Sequence, residues 1–213
     1  MSKLTKSTDR ILSEDALKHI YKCQQQSRRP TLQSLAGVLQ ITLDATTNLV
    51  AKMAGHNLLQ PTGETFQLTR KGQAYALQII RAHRLWERYL ADETGFAEAE
   101  WHDRADQQEH SLSPEELDTL SARLGHPTHD PHGDPIPTAE GELVPHGGQS
   151  LATLKVGQAA RVVHVEDEPA IVYAQLVAEG IYPGMLLRLT ELSDQRIRFW
   201  AEGEQHTLAP IVA

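Results

Sequence analysis

A mainly α-helical chain with a small β component is predicted by three features of the 213-residue sequence. Apolar residues recur at helical spacing through most of the first 124 positions. A pair of short β-rich runs flanking Pro61-Thr62-Gly63-Glu64 interrupts them. After about Leu154, short β-rich runs alternate with turns. The expected architecture is an N-terminal winged helix-turn-helix (1–72), a helical domain (73–138), a linker (139–153) and a small antiparallel β-barrel (154–213).

The first helix is expected to start at Ser13-Glu14-Asp15 and to carry Leu17, Ile20 and Tyr21 on one face. Arg28-Arg29-Pro30 stops it, because proline disfavours helical geometry in the residue before it. Thr31 caps a second helix with Leu32, Leu35, Ala36 and Leu39 on one side, and Thr42 caps a third with Ala45, Leu49, Val50 and Met53 turned inward. Asn57, which tolerates left-handed backbone, ends the third. Leu58–Gln60 and Thr65–Leu68 read as a hairpin, so three helices and a wing precede a long helix from about Thr69 to Thr94. That helix is apolar enough to suggest a dimer interface. A further helix is expected over roughly Glu98 to His110, and Ser113-Pro-Glu-Glu opens another through Leu124. Residues 125–150, with five prolines, five glycines and four histidines, read as loop and linker, and His126, His129, His132 and His146 as loop histidines. The runs 160–165, 186–190, 197–200 and 206–209 are the expected barrel strands. Trp86, Trp101 and Trp200 read as packing residues.

Composition excludes several classes. A hydrophobic share of 40% and a charged share of 23% argue against wholesale disorder. No run of 18 apolar residues offers a transmembrane helix, and MSKLTKSTDR lacks the apolar core of a secretory signal. The single cysteine, Cys23, cannot form a disulfide scaffold or a cysteine-rich zinc site; it reads as core, and a cytoplasmic location is expected. The net charge of −8 conceals an asymmetry: residues 1–90 carry +7 and residues 91–213 carry −15. A basic front half suits a polyanion and an acidic back half does not.

Ligand-type side chains concentrate on two helical stretches. His83 and Glu87 are four apart on the long helix, hence on one face. On an ideal helix His102, Asp106, Glu109 and His110 fall at roughly 0°, 40°, −20° and 80°, a single stripe. Asp15 adds a carboxylate beside the first helix. Two imidazoles and two carboxylates on one stripe without a lysine is the donor set a divalent cation resolves, since it removes the repulsion and accepts imidazole nitrogen.

The combination of Leu68-Thr-Arg-Lys-Gly, His83-Arg-Leu-Trp-Glu, His102-Asp-Arg-Ala-Asp-Gln-Gln-Glu-His and Asp130-Pro-His-Gly-Asp-Pro-Ile-Pro resembles the diphtheria-toxin-repressor-type metal-dependent transcriptional regulators over nearly the whole chain. The resemblance implies a homodimer that binds Mn²⁺ or Fe²⁺, tightens on a double-stranded operator and represses metal-uptake genes. It also implies that the C-terminal barrel is an SH3-like module, related to a ferrous-iron transport accessory protein. Carried over by position, the effector site uses Asp15, Asp106, Glu109 and His110, and a second site uses His83, Glu87 and His102. Barrel ligands fall near Glu166, Glu168 and Pro169. Asp15 and Asp106 stand where iron-sensing members have sulfur ligands, which favours Mn²⁺ over Fe²⁺. Two departures stand out: Asp106 replaces the glutamate of the manganese pattern, and Lys18 stands where some members have a first-helix glutamate.

The third helix is then the recognition helix, with Thr42, Asp44, Ala45, Thr47 and Asn48 toward bases and Arg28, Arg29, Lys52, Arg70 and Lys71 toward phosphates. It is nearly devoid of positive charge, so Asp44 either accepts from a cytosine amino group or weakens binding until dimerisation. Two other readings remain: a metal-dependent hydrolase, against which stands the lack of HExxH, an activated serine or a phosphate loop, and a metal-independent winged-helix regulator whose barrel binds protein.

Overall fold

The computed structural model describes residues 2–62, 65–144 and 147–212. The Gly63-Glu64 half of the expected wing turn and His146 lie outside the described residues. The chain divides into two compact units. One holds the residues up to His83 with 107–119 and 137–142; the other holds 84–106, 120–136 and the remainder from Leu143.

In the first unit α1 spans Ser2–Gln25. It begins well before the expected start at Ser13, whose hydroxyl donates to the Asp9 carbonyl at 2.7 Å, back-bonding inside the helix in place of capping it. The helix ends through Ser27, held at φ +54°, before Arg28-Arg29-Pro30. Thr31 and Ser34 then form a reciprocal capping box that starts α2 (Leu32–Leu39). Gln40 in the left-handed region turns the chain, and the Thr42 side chain accepts from the Ala45 amide to start α3 (Leu43–Gly55). Ala16, Leu17, Ile20, Leu35, Leu49 and Met53 form the buried seam of these three helices. The wing is β1 (Leu59–Thr62) against β2 (Thr65–Leu68), antiparallel with Leu59 opposite Leu68.

The helix α4 (Arg70–Glu93) follows at once. Gly72 is required where α4 meets the wing, because a Cβ there would stand 2.0 Å from the Leu58 carbonyl oxygen. Next come a short 3-10 turn, Glu98–Glu100, and α5 (Trp101–Gln108). The helix α6 (Pro114–Arg123) is capped as expected, with the Glu116 carboxylate accepting from the Ser113 amide at 2.7 Å.

The second unit's C-terminal part is one four-stranded antiparallel sheet in the order β3 (Ala159–Arg161), β4 (Leu186–Leu192), β5 (Ile197–Ala201), β6 (Glu204–Leu208). The expected barrel is present as this sheet, and the strand pairing does not close: β3 and β6 remain edges among the described residues. Strand alternation sends Leu187, Leu189, Ile197, Phe199 and Leu208 into a core with Tyr173 and Leu176. The same alternation corrects the reading of Trp200 as a packing residue, because it lies on the outward face of β5 and is 51% exposed. The sequence reading missed α7 (Ala170–Ala178), whose run of apolar and β-branched residues lacks the polar stripe that marks an amphipathic helix. No described helix is long and apolar enough to cross a membrane.

Candidate metal centre

Two carboxylate–imidazole clusters are built, one in each unit. The first depends on where α5 ends. It stops at Gln108, not at His110 as expected, and the Ser111 amide closes a turn on the Gln108 carbonyl at 2.9 Å. Glu109 and His110 therefore leave the helical stripe that the sequence placed them on. Glu109 is 2% exposed and belongs with α1 in the first unit.

There Asp15, Glu109 and His110 offer ligand atoms all within 4.8 Å of one another. Asp15 Oδ1 is 3.2 Å and Glu109 Oε1 3.6 Å from His110 Nε2. Sequence reasoning missed Glu14, which is 2% exposed and receives His110 Nδ1 at 2.6 Å and the Tyr75 hydroxyl. A signal was available: Glu14 shares the helical face of Leu17 and Tyr21, and a carboxylate on an apolar stripe is costly without a partner. Burial pulls the His110 imidazole down, but hydrogen bonds to Asp15 and Glu14 and the Glu109 charge outweigh it and push the group up to about 9. Burial and the bond to Glu14 likewise push the Tyr75 hydroxyl well above its ordinary value.

Lys18 Nζ grips both Glu109 oxygens, at 2.8 and 2.7 Å, and His83 Nδ1 lies 2.7 Å from Glu109 Oε2. A cavity of about 370 Å³ opens beside Glu14, Tyr75, Glu109 and His110, so solutes can reach the cluster. Two carboxylates, Asp15 and Glu109, and the His110 imidazole fit a divalent ion of Mn²⁺ or Fe²⁺ type, which takes oxygen and borderline nitrogen ligands together, while Glu14 holds the far nitrogen of the ring. Without an ion, Lys18 and a proton on His110 offset the negative charge.

The second unit holds Glu87 and His102, as the sequence paired them, with His102 Nδ1 at 3.2 Å from Glu87 Oε1. Asp106 stands with them, 3.7 Å from His102 Nε2. The segment ahead of α7 adds Asp167, whose Oδ2 is 2.9 Å from His102 Nδ1, and Glu168 at 3.5 Å from Nε2. Desolvation lowers the His102 imidazole, yet hydrogen bonds to Asp167, Glu168 and Glu87 raise it to about 12. Asp167, between the positions read as barrel ligands, was missed.

The linker reading also needs correction. Asp130, His132 and Ile136 are buried, at 4%, 1% and 7% exposure. The loop folds back because Gly133, at φ +92°, lets its backbone approach the Val163 carbonyl oxygen to where a Cβ would stand 2.0 Å away. His132 Nδ1 then faces Glu87 at 3.6 Å and Asp167 at 3.9 Å.

The residues read as DNA-facing are exposed in the first unit. Thr42, Asp44, Ala45, Thr47 and Asn48 are exposed on or just before α3, while Thr46, Leu49 and Met53 are buried, so the inward place expected of Ala45 is taken by Thr46. Arg28, Arg29, Lys52, Arg70 and Lys71 are exposed as well. Lys52 pairs with Asp9 at 2.9 Å, and the Lys71 ammonium donates to the His56 carbonyl at 3.1 Å.

The first unit thus carries a helix-turn-helix with a wing, and each unit holds a histidine–carboxylate cluster. Residues 69–138 match the family model described as the iron-dependent repressor, metal binding and dimerisation domain. The iron-dependent repressor IdeR of Mycobacterium tuberculosis is 33% identical over 126 residues, covering 59% of this chain and 55% of that protein. The chain thus spans about half the length of this relative. Among solved structures, a manganese-dependent transcriptional repressor in complex with manganese superposes with a TM-score of 0.85 at 28% identity, covering 94% of this chain and 96% of that one. The manganese regulator SloR gives 0.77 at 25% identity, covering 94% of each chain. Residues 69–138 thus resemble the metal-binding and dimerisation domain of iron-dependent repressors, and most of the chain is similar to a manganese-dependent repressor.

Proposed function

We propose that this chain is a metal-dependent DNA-binding transcriptional regulator of the cytoplasm, a homodimer that represses metal-uptake genes when Mn²⁺ or Fe²⁺ is abundant. It acts by binding and not by catalysis. One observation carries the reading. Glu14 and Asp15 of α1, a helix packed against α2 and α3, converge on Glu109 and His110 from beyond α5 within one unit. The relatives named above, an iron-dependent and a manganese-dependent repressor, support the same chemistry.

A divalent ion supplies the two positive charges that let the buried carboxylates stay together without a proton on His110. The chain's own residues do the rest. Asp15 and Glu14 anchor the first helix, Glu109 and His110 anchor the segment after α5, and the seam of Leu17, Ile20 and Leu35 passes the position of α1 on to α2 and α3. Lys18 must give up at least one Glu109 oxygen for the cluster to accept a cation. Fixing α1 narrows the orientations open to α3, and a dimer then presents two such helices to successive major grooves. Asn48 and Thr47 are exposed for base contact, and the exposed arginines and lysines meet phosphates.

Gel shift on DNA from upstream of metal-uptake genes tests this. EDTA should release the complex, and Mn²⁺ or Fe²⁺ should restore it. An affinity indifferent to both treatments overturns the reading.

A further inference from the structure

We propose that Arg10 is a positioning residue for the first cluster, tying α1 to residues 109–110 so that the site stands assembled before an ion arrives. This rests on the reading of the chain as metal-responsive. It deepens that reading by naming a group that sets the affinity for the ion without touching it, where the sequence reading named ligands alone.

The carrying observation is a charged stripe on α1. Arg10, Glu14 and Lys18 are four residues apart, so they follow one face of the helix. All three reach the same two residues beyond α5. Arg10 Nη2 donates to the His110 carbonyl at 2.7 Å, and Glu14 Oε2 receives His110 Nδ1 at 2.6 Å. Lys18 Nζ holds both Glu109 oxygens, at 2.8 and 2.7 Å. Arg10 Nε also stands 3.9 Å from Glu14 Oε1, so its charge steadies the buried carboxylate that orients the ring. A helix packed against α2 and α3 is thereby joined to a segment 91 to 100 residues further on.

The three contacts do not fare alike when an ion enters among Asp15, Glu109 and His110. Lys18 competes for Glu109 and has to yield. The Glu14 contact uses the ring nitrogen turned away from Asp15, and the Arg10 contact uses a backbone carbonyl, so both persist. Glu14 is 2% exposed and also receives the Tyr75 hydroxyl, so replacing it disturbs several groups at once. The Arg10 side chain is 53% exposed, and water can hydrate the carbonyl once the guanidinium is gone. Arg10 therefore isolates the tie from the ligands. A charge-assisted hydrogen bond that already orders two segments spares the ion that ordering cost. A tie at an exposed edge is looser than coordination, so stripping the ion still lowers DNA affinity.

The test compares the full-length, metal-stripped protein with its Arg10→Met variant, which keeps the aliphatic stem and the helix propensity but has no donor. Calorimetry with Mn²⁺ reads the affinity. Amide hydrogen exchange of α1 and residues 109–112 is followed in the metal-free and the Mn²⁺-loaded forms. Arg10→Met should bind Mn²⁺ about tenfold more weakly with every ligand intact, the lower end of what losing an outer-shell partner costs. Exchange in both segments should quicken in the metal-free variant and return to the wild-type rate in the loaded one. Unchanged or tighter Mn²⁺ binding by Arg10→Met overturns this inference alone. So does exchange quickened by the same factor in both forms, which marks a general contribution to stability in place of positioning. A wild type that binds no Mn²⁺ overturns it together with the proposed function.

Discussion

The two clusters use the same side-chain types on opposite terms. In the first unit, Glu14, Glu109 and His110 are enclosed by groups that already answer them: Tyr75, Lys18, His83 and Arg10. In the second, Glu87 and Asp167 are held by His102 on one side, while His132 Nδ1 on the other stands 3.6 Å from Glu87 and 3.9 Å from Asp167. Among the described residues, no buried side-chain atom of the first cluster lacks a hydrogen-bond partner. A cation entering the first cluster therefore has to displace internal charge, chiefly the Lys18 ammonium. That arrangement suits a switch, because occupied and empty states are both tolerable.

Breaking the first cluster should have the largest effect. His110→Ala removes a ligand outright, and since losing even an outer-shell partner costs about 10–100-fold, Mn²⁺ affinity there should fall at least ~100-fold and metal-dependent DNA binding should vanish. Calorimetry and gel shift read both; unchanged Mn²⁺ affinity would remove His110 from the site. The matching lesion in the second unit is Gly133→Ala, which forces a Cβ toward the Val163 carbonyl and strains a left-handed residue. A loss of about 2 kcal/mol is expected. If thermal melting shows no change, the fold-back of this loop does not matter.

Lys18→Met sharpens the comparison at the first cluster. With the ammonium gone, the ion there should bind about tenfold tighter, or ~1.4 kcal/mol. A weaker ion in that variant would show that Lys18 supports the site and does not compete for it.

The smallest effect is the pH dependence of the metal-free protein. His110 is raised to about 9 by its carboxylate neighbours, so its contribution is full below about 6.5 and is lost as pH rises through 9. Screening at the open edge of the cluster reduces this to about 1 kcal/mol. The metal-free form should therefore lose stability from pH 6.5 to 9. Metal affinity should rise over the same range, because binding displaces the proton. Denaturant titrations with and without Mn²⁺ measure the two slopes; parallel slopes would contradict the assignment.

Much of the fold was legible. Thr31 and Thr42 mark helix starts, Asn57 takes the left-handed conformation, and Leu59 to Leu68 pair as a hairpin, because caps and turns are set by a few adjacent residues. The misreadings differ in cause. Ser13 looks like a cap but back-bonds to Asp9 within a longer helix, and α7 has no polar stripe to reveal it. Only in 125–150, which has loop composition yet contains buried Asp130 and His132, do contacts distant in sequence outweigh the local signal.

The sequence by itself determined the types and approximate spacing of the acids and imidazoles, the basic front half, and the helix-turn-helix with its wing. Each depends on neighbours within a few residues, where periodicity and capping act. Only the tertiary structure decided which of those groups share a cluster. The end of α5 at Gln108 sends Glu109 and His110 to meet Glu14 and Asp15, and the fold-back at Gly133 delivers His132 to Glu87. Such meetings depend on chain reversals that a 100° helical step cannot foresee, since one residue past a helix end the extrapolated direction no longer holds.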